Sequence, residues 1–126
     1  MRNAIISLFI FICLLFSIYF LNNSLINLCN DIENKTAAIE DMIYDENIDD
    51  AYNSSLELLY YLNSYENINL ICVNHQDFDT LKYESARLCV YISNNDLNEA
   101  TASLHVIKYG ASTIRNLQLI NLYNIF

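Results

Sequence analysis

One uninterrupted apolar run, Ala4–Leu21 (AIISLFIFICLLFSIYFL), limits what this chain can become more than any other stretch, and Ser7 and Ser17 are its only breaks. As a helix rising about 1.5 Å per residue it measures roughly 27 Å, close to the ~30 Å hydrocarbon core of a bilayer. The run is expected to span a membrane, with lipid as the partner of Ala4–Leu21. A cleaved secretory leader would need small residues one and three positions before the cut. The stretch Ser17-Ile-Tyr-Phe-Leu-Asn-Asn-Ser24 offers no such pair, so the run is expected to stay as a signal anchor. Cys13 is not a lipoprotein cysteine, because Ile12 stands where a small residue belongs and the apolar run continues past it.

Charge sets the expected orientation. Arg2 and the amino terminus precede the run, whereas Asp31, Glu33, Glu40 and Asp41 follow it with only Lys35 among them. The positive-inside rule then gives a single-pass protein of the cell membrane, with residues 1–3 cytoplasmic, 4–21 transmembrane and 22–126 an extracytoplasmic domain. That domain carries all 15 acidic residues and all but one of the 6 basic ones. Nucleic-acid binding is excluded on this ground, since it depends on Lys and Arg neutralising phosphates.

The chain has no Pro and a single Gly, Gly110. Sheets need turn residues, so the expected fold is all-α: a transmembrane helix continuing into an antiparallel bundle of about four helices. Apolar spacing supports this. Leu21, Leu25, Leu28, Ile32, Ile39 and Met42 follow steps of four and three, with Lys35 breaking the row, and predict one long helix to about Tyr44. A second helix is expected over Ile48–Val73 after a turn near Asp45–Asn47, burying Ala51, Ser55, Leu58, Leu62 and Tyr65, with Leu59, Tyr60 and Tyr61 widening the face. Phe78, Leu81, Ser85, Leu88 and Ile92 define a third, ending near Ser93, and Leu97, Ala100, Leu104, Ile107, Ala111 and Ile114 a fourth. Gly110 predicts a bend or break near Gly110–Thr113, and the closing Asn124-Ile125-Phe126 is expected to dock on the bundle. Asn47-Ile-Asp-Asp-Ala51 is echoed by Asp96-Leu-Asn-Glu-Ala100, each read as opening a helix after an acidic turn.

Four cysteines do not make a framework in this topology. Cys72 and Cys89 would lie several turns apart, whereas Cys29 and Cys89 fall at similar heights and could be bridged. The crowded Glu40, Asp41, Asp45, Glu46, Asp49 and Asp50 fail the calcium-loop pattern, which needs Gly where Asp50 stands and Glu where Leu56 stands. Helix-start electrostatics, with Asn47 or Asp49 as cap, account for them better. His75, Asp77 and Asp79 form the only metal-like spacing, H-x-D-x-D, with His105 as a distant fourth ligand. The plainer reading is that Asp77 caps the third helix, so no metal and no cofactor is expected. Tyr52, Tyr60, Tyr61 and Tyr65 fit either a partner surface or packing in a chain without Trp, and Glu84 and Arg87 read as an exposed pair.

The order of an N-terminal anchor, Asp50-Ala51, Asn74-His75 with Asp79, Ser85-Ala86-Arg87-Leu88 with Tyr91-Ile92, Glu99-Ala100, Leu104 and Asn124-Ile125-Phe126 resembles the bacterial domain-of-unknown-function family 4363. Tyr61 and Tyr65 stand where members often have Trp, and Thr113-Ile114 where they have His-Ile. The resemblance implies a short, singly anchored helical protein of low-GC Gram-positive bacteria and brings no activity with it. The expected role is a binding or accessory module for another membrane or envelope protein, without catalysis, in which self-association is open. The alternative is a small-ligand or cation sensor that signals through a partner.

Overall fold

The computed structural model describes residues 1–65 and 73–125, with side chains followed as far as residue 120. Helix is the only regular structure among the described residues: α1 spans Arg2–Tyr44, α2 Ile48–Ser64, α3 His75–Ser93 and α4 Leu97–Ile125. The helices alternate in direction and close a ring in which α1 packs on α2 and α4, and α3 packs on α2 and α4. This is the expected antiparallel bundle.

Helix α1 runs for 43 residues and changes surroundings along its length. Its first turns are exposed all round, with Phe16 and Phe20 at 71% and 73%. From Asn22 onward one stripe turns inward: Leu25, Leu28, Ile32, Thr36, Ile39 and Ile43 are buried at steps of three and four. Thr36 and Ile43, and not Lys35 and Met42, therefore occupy the expected row. Thr36 can do so because its hydroxyl donates to the Glu33 carbonyl at 2.8 Å. Lys35 sits beside the row, its Nζ 5.1 Å from the centre of the Tyr61 ring.

Helix α2 buries Ala51, Ser55, Leu58 and Leu62 as the spacing requires, but it ends at Ser64, well short of Val73. Residues 66–72 of the expected helix lie outside the described residues. Tyr60 does not widen the buried face; it is 70% exposed. In α3 the inward row is Phe78, Leu81, Ser85, Leu88 and Ile92, as predicted. Its cap is Asn74, whose side chain accepts from the Gln76 amide at 3.2 Å, and Asp77 lies inside the first turn.

Helix α4 buries Ala100, Leu104, Ile107, Ala111 and Ile114. It passes through Gly110 without a break. A Cβ at Gly110 would lie 2.8 Å from Leu81 Cδ2, so glycine here leaves room for the Leu81 side chain between α3 and α4 instead of interrupting the helix. Small hydroxyls occupy tight places elsewhere. Ser55 and Ser85 are fully buried and satisfied by the carbonyls of Tyr52 and Leu81. The large aliphatic side chains of the core each contribute about 1.5–3 kcal/mol by leaving water.

The sequence echo corresponds to a repeated turn. After α1, the Asn47 amide reaches the Met42 carbonyl and the Glu46 amide the Ile43 carbonyl; after α3, Asp96 reaches Tyr91 and Asn95 reaches Ile92. Both are paired closures of a helix end, of the kind that needs a left-handed residue. That residue is Glu46 (φ 61°) in one and Asn95 (φ 57°) in the other. Asn tolerates this conformation better than Glu. Glu46→Gly should stabilise the bundle by about 1 kcal/mol through relief of that strain, and Asn95→Gly by less. Denaturant midpoints of the full chain in detergent measure the difference, and equal shifts at the two sites would contradict it.

Candidate functional site

Helix α4 is flanked by two clefts that share the outward ridge of His105 and Tyr109. The larger, about 630 Å³, lies between α3 and α4, with Leu81, Gly110 and Ile114 as its floor and Asp77, Thr80 and Thr113 on its rim. It is mainly apolar, and its rim hydroxyls are committed: Thr80 donates to the Gln76 carbonyl at 2.8 Å and Thr113 to the Tyr109 carbonyl at 3.0 Å. The smaller, about 360 Å³, lies on the α1–α4 seam and is lined by Glu33, His105, Lys108, Tyr109, Ser112 and Arg115.

Arg115 organises the seam. Its Nη1 donates to Glu33 Oε2 at 2.7 Å and to Asn30 Oδ1 at 3.0 Å, joining residues more than 80 positions apart in the chain. The other Glu33 oxygen, Oε1, is buried without a hydrogen-bond partner. Two turns farther along α1, His105 Nε2 lies 3.5 Å from Glu40 Oε1. Both pairs cross between α1 and α4 and fix the register of the two helices.

The four metal-type candidates are only partly brought together. Asp77 and His105 both line the α3–α4 cleft, Asp77 from the start of α3 and His105 from two turns away along α4, whereas His75 opens α3 on an exposed position. Asp79 is paired with Lys82 Nζ at 3.1 Å. Among the described residues, no group of three His, Cys, Asp or Glu side chains is arranged to hold a metal ion. At the acidic turn, Asn47 stands at the N-cap position of α2, but its side chain caps no amide; it donates instead to Asp50 at 2.6 Å.

The Glu84–Arg87 pair is not simply a surface pair. Arg87 Nη1 meets Glu84 Oε1 at 2.9 Å, but the Glu84 side chain is only 12% exposed, and its Oε2 accepts from Ser103 on α4 at 3.0 Å. Tyr61 makes a similar tie, donating to Asp31 Oδ2 at 2.7 Å from α2 to α1, while its ring tilts against Tyr65 at 5.0 Å. Burial and that bond to Asp31 hold the Tyr61 phenol well above its ordinary pKa. Ser103 and Tyr61 therefore donate their hydroxyl hydrogen bonds to carboxylates that tie helices together. Cys13, Cys29 and Cys89 are free thiols, so Cys29 and Cys89 are unbridged; Cys72 lies outside the described residues. Burial first, and then the Glu33 carboxylate, pushes the Cys29 thiol up to about 11, against a lowering by Arg115. A protonated buried thiol is a poor nucleophile.

The family model for the domain of unknown function DUF4363 matches residues 19–125, from the end of the apolar run through the whole of α4. The chain belongs to the DUF4363 family. No curated protein and no solved structure matches it. The match takes in every buried row of the bundle and leaves most of the apolar run outside, so in this DUF4363 member the family pattern is the packed domain.

Two outcomes follow from the seam. Arg115→Met should destabilise the bundle by roughly 1–3 kcal/mol, since it strands Asn30 and both Glu33 oxygens, and a fall in denaturant midpoint measures it. Cys29 contributes stability that is fully present below its ordinary value of 9.0 and is lost as pH rises toward about 11, because only the unfolded chain ionises in that window. The slope of stability against pH over that window should flatten in Cys29→Ala, and an unchanged slope would assign the loss to other groups.

Proposed function

We propose that this protein is a membrane-anchored, extracytoplasmic accessory module that engages another membrane or envelope protein and carries out no catalysis. The observation that carries this reading is the continuity of α1, a single 43-residue helix whose lipid-like third passes into the buried stripe of the bundle with no linker. Its one candidate span, at the N-terminal part of α1, is long and apolar enough to cross a bilayer and none of it is buried within the bundle. A rigid continuation of that kind holds the domain at a set height and rotation over a bilayer, which suits a subunit seated beside a fixed partner. The charge step from Arg2 to Asp31 favours an outside location for the domain.

The ridge of α4 is the contact surface offered to such a partner. Tyr109 is 76% exposed and Val106 44%, on a helix otherwise held from both sides. Tyr is favoured at interfaces because one residue brings both apolar area and a hydroxyl. A photo-crosslinking residue in place of Tyr109, compared with one in place of Asn53 on the exposed side of α2, should capture a membrane or envelope protein only from the α4 position. Equal capture from both sites, or capture of this chain alone, would overturn the assignment.

The α3–α4 cleft favours a second reading, a small-ligand sensor that signals through a partner. Its volume falls in the range of ligand sites, and Asp77 and His105 stand at its mouth. That reading requires a ligand that stabilises the full chain against unfolding.

A further inference from the structure

Helix α4 carries a second patterned face besides the one it buries. Ala102, Val106, Tyr109, Thr113, Asn116 and Ile120 follow one another at strict steps of four and three, and all six are exposed. The row is about 27 Å long, and none of its members is charged. Charge interrupts the outward faces of the other helices: Asp31 and Asp41 on α1, Glu57 on α2, Asp79 and Arg87 on α3. Among the described residues, a charge-free outward row of this length belongs to α4 alone.

Such spacing limits what can cover the row. A strand or loop drifts off it, whereas a second helix crossing at about 20° stays in contact along its whole length. Val106, Thr113 and Ile120, at every second place, are all β-branched, as at one of the two alternating places of a two-stranded seam. Asn116, polar within the row, fixes register at a cost in strength. Beside the row lies the α3–α4 cleft of about 630 Å³, lined in part by Val106, Tyr109 and Thr113, a hollow for side chains of a docked helix. Because α4 runs antiparallel to α1, a helix that follows the row also lies along α1 and is directed toward the apolar run.

Charge separates a second copy from a different chain. Residues 22–126 hold all 15 acidic side chains and all but one of the 6 basic ones, so two such domains side by side repel each other. The row's next place beyond Ala102, at the end away from the apolar run, is the exposed Glu99, which has no ion-pair partner among the described residues. A helix with Lys or Arg at that level gains the attraction that a second copy would turn into repulsion.

We infer that this row is a docking seam for one α-helix of a different chain, a helix with its own uncharged row at steps of three and four and with Lys or Arg at the end that meets Glu99. The inference rests on the accessory reading above and gives the form of the partner that the reading leaves open.

Adjacent positions of the full chain in its native membrane test it. A photo-crosslinking residue is placed singly at Tyr109 or Ile120 in the row, and at their neighbours Lys108 or Leu119 beside it. Each row position should capture one and the same protein several-fold more strongly than its neighbour. The crosslinked residues of that protein should themselves recur at steps of three and four, and Glu99→Gln should weaken capture from Tyr109 several-fold. Two pairs keep the comparison readable should one substitution disturb the bundle. Equal capture within both pairs, or crosslinked residues without helical spacing, overturns the seam and leaves the accessory reading standing. Undiminished capture in Glu99→Gln overturns the basic end of the partner. Capture of this chain alone, or of no protein, overturns the accessory reading together with the seam.

Discussion

The bundle depends on the closure of α4 against α1. Two helical hairpins, α1–α2 and α3–α4, would each leave an apolar stripe in water, and neither could hold its shape alone. Arg115 fixes the closing seam by donating to Glu33 and Asn30 at once, and Glu40 and His105 repeat the tie farther along. An Arg with two acceptors in a half-buried seam gives direction as well as attraction, because its planar donors must meet both oxygens. Register along α1 follows from it, and with register the levels of every other element.

Most of the architecture was legible from spacing because each helix buries one narrow row. In α3 the row read from the sequence is buried throughout, Ser85 included because its hydroxyl bonds the Leu81 carbonyl, and in α4 the predicted row is buried from Ala100 to Ile114. In α1 the reading slipped at Lys35. A threonine that bonds its own helix passes as apolar, and Thr36 took the inward place while the lysine moved over the Tyr61 ring. Gly110 was misread for the opposite reason. Glycine costs helix stability locally, but the approach of Leu81 is a tertiary gain that no local window contains.

The candidate surfaces were less legible. Nothing in the spacing of Glu84 and Ser103, or of Glu33 and Arg115, marks them as partners, because long-range polar contacts carry no periodic signal. The H-x-D-x-D spacing gathers no site: Asp77 lines the cleft that His105 also lines, but alternate residues at a helix start diverge, and His75 and Asp79 turn elsewhere. The echo between the two upper turns carried more than its five residues suggested. It marks a shared way of ending a helix without glycine, in which Asn95 and Glu46 take the left-handed place.

The continuity of α1 also makes the protein a lever. Some 23 residues, or about 34 Å of helix, separate Leu21 from the first turn at Tyr44, and no hinge lies between. With the apolar third seated in a bilayer, a tilt of about 20°, ordinary for a spanning helix, would carry the far turns sideways by about 12 Å. Small changes in bilayer thickness or in neighbouring helices would thus be magnified into displacement of the acidic end. A partner gripping that end would register the tilt of the helix as a change in position.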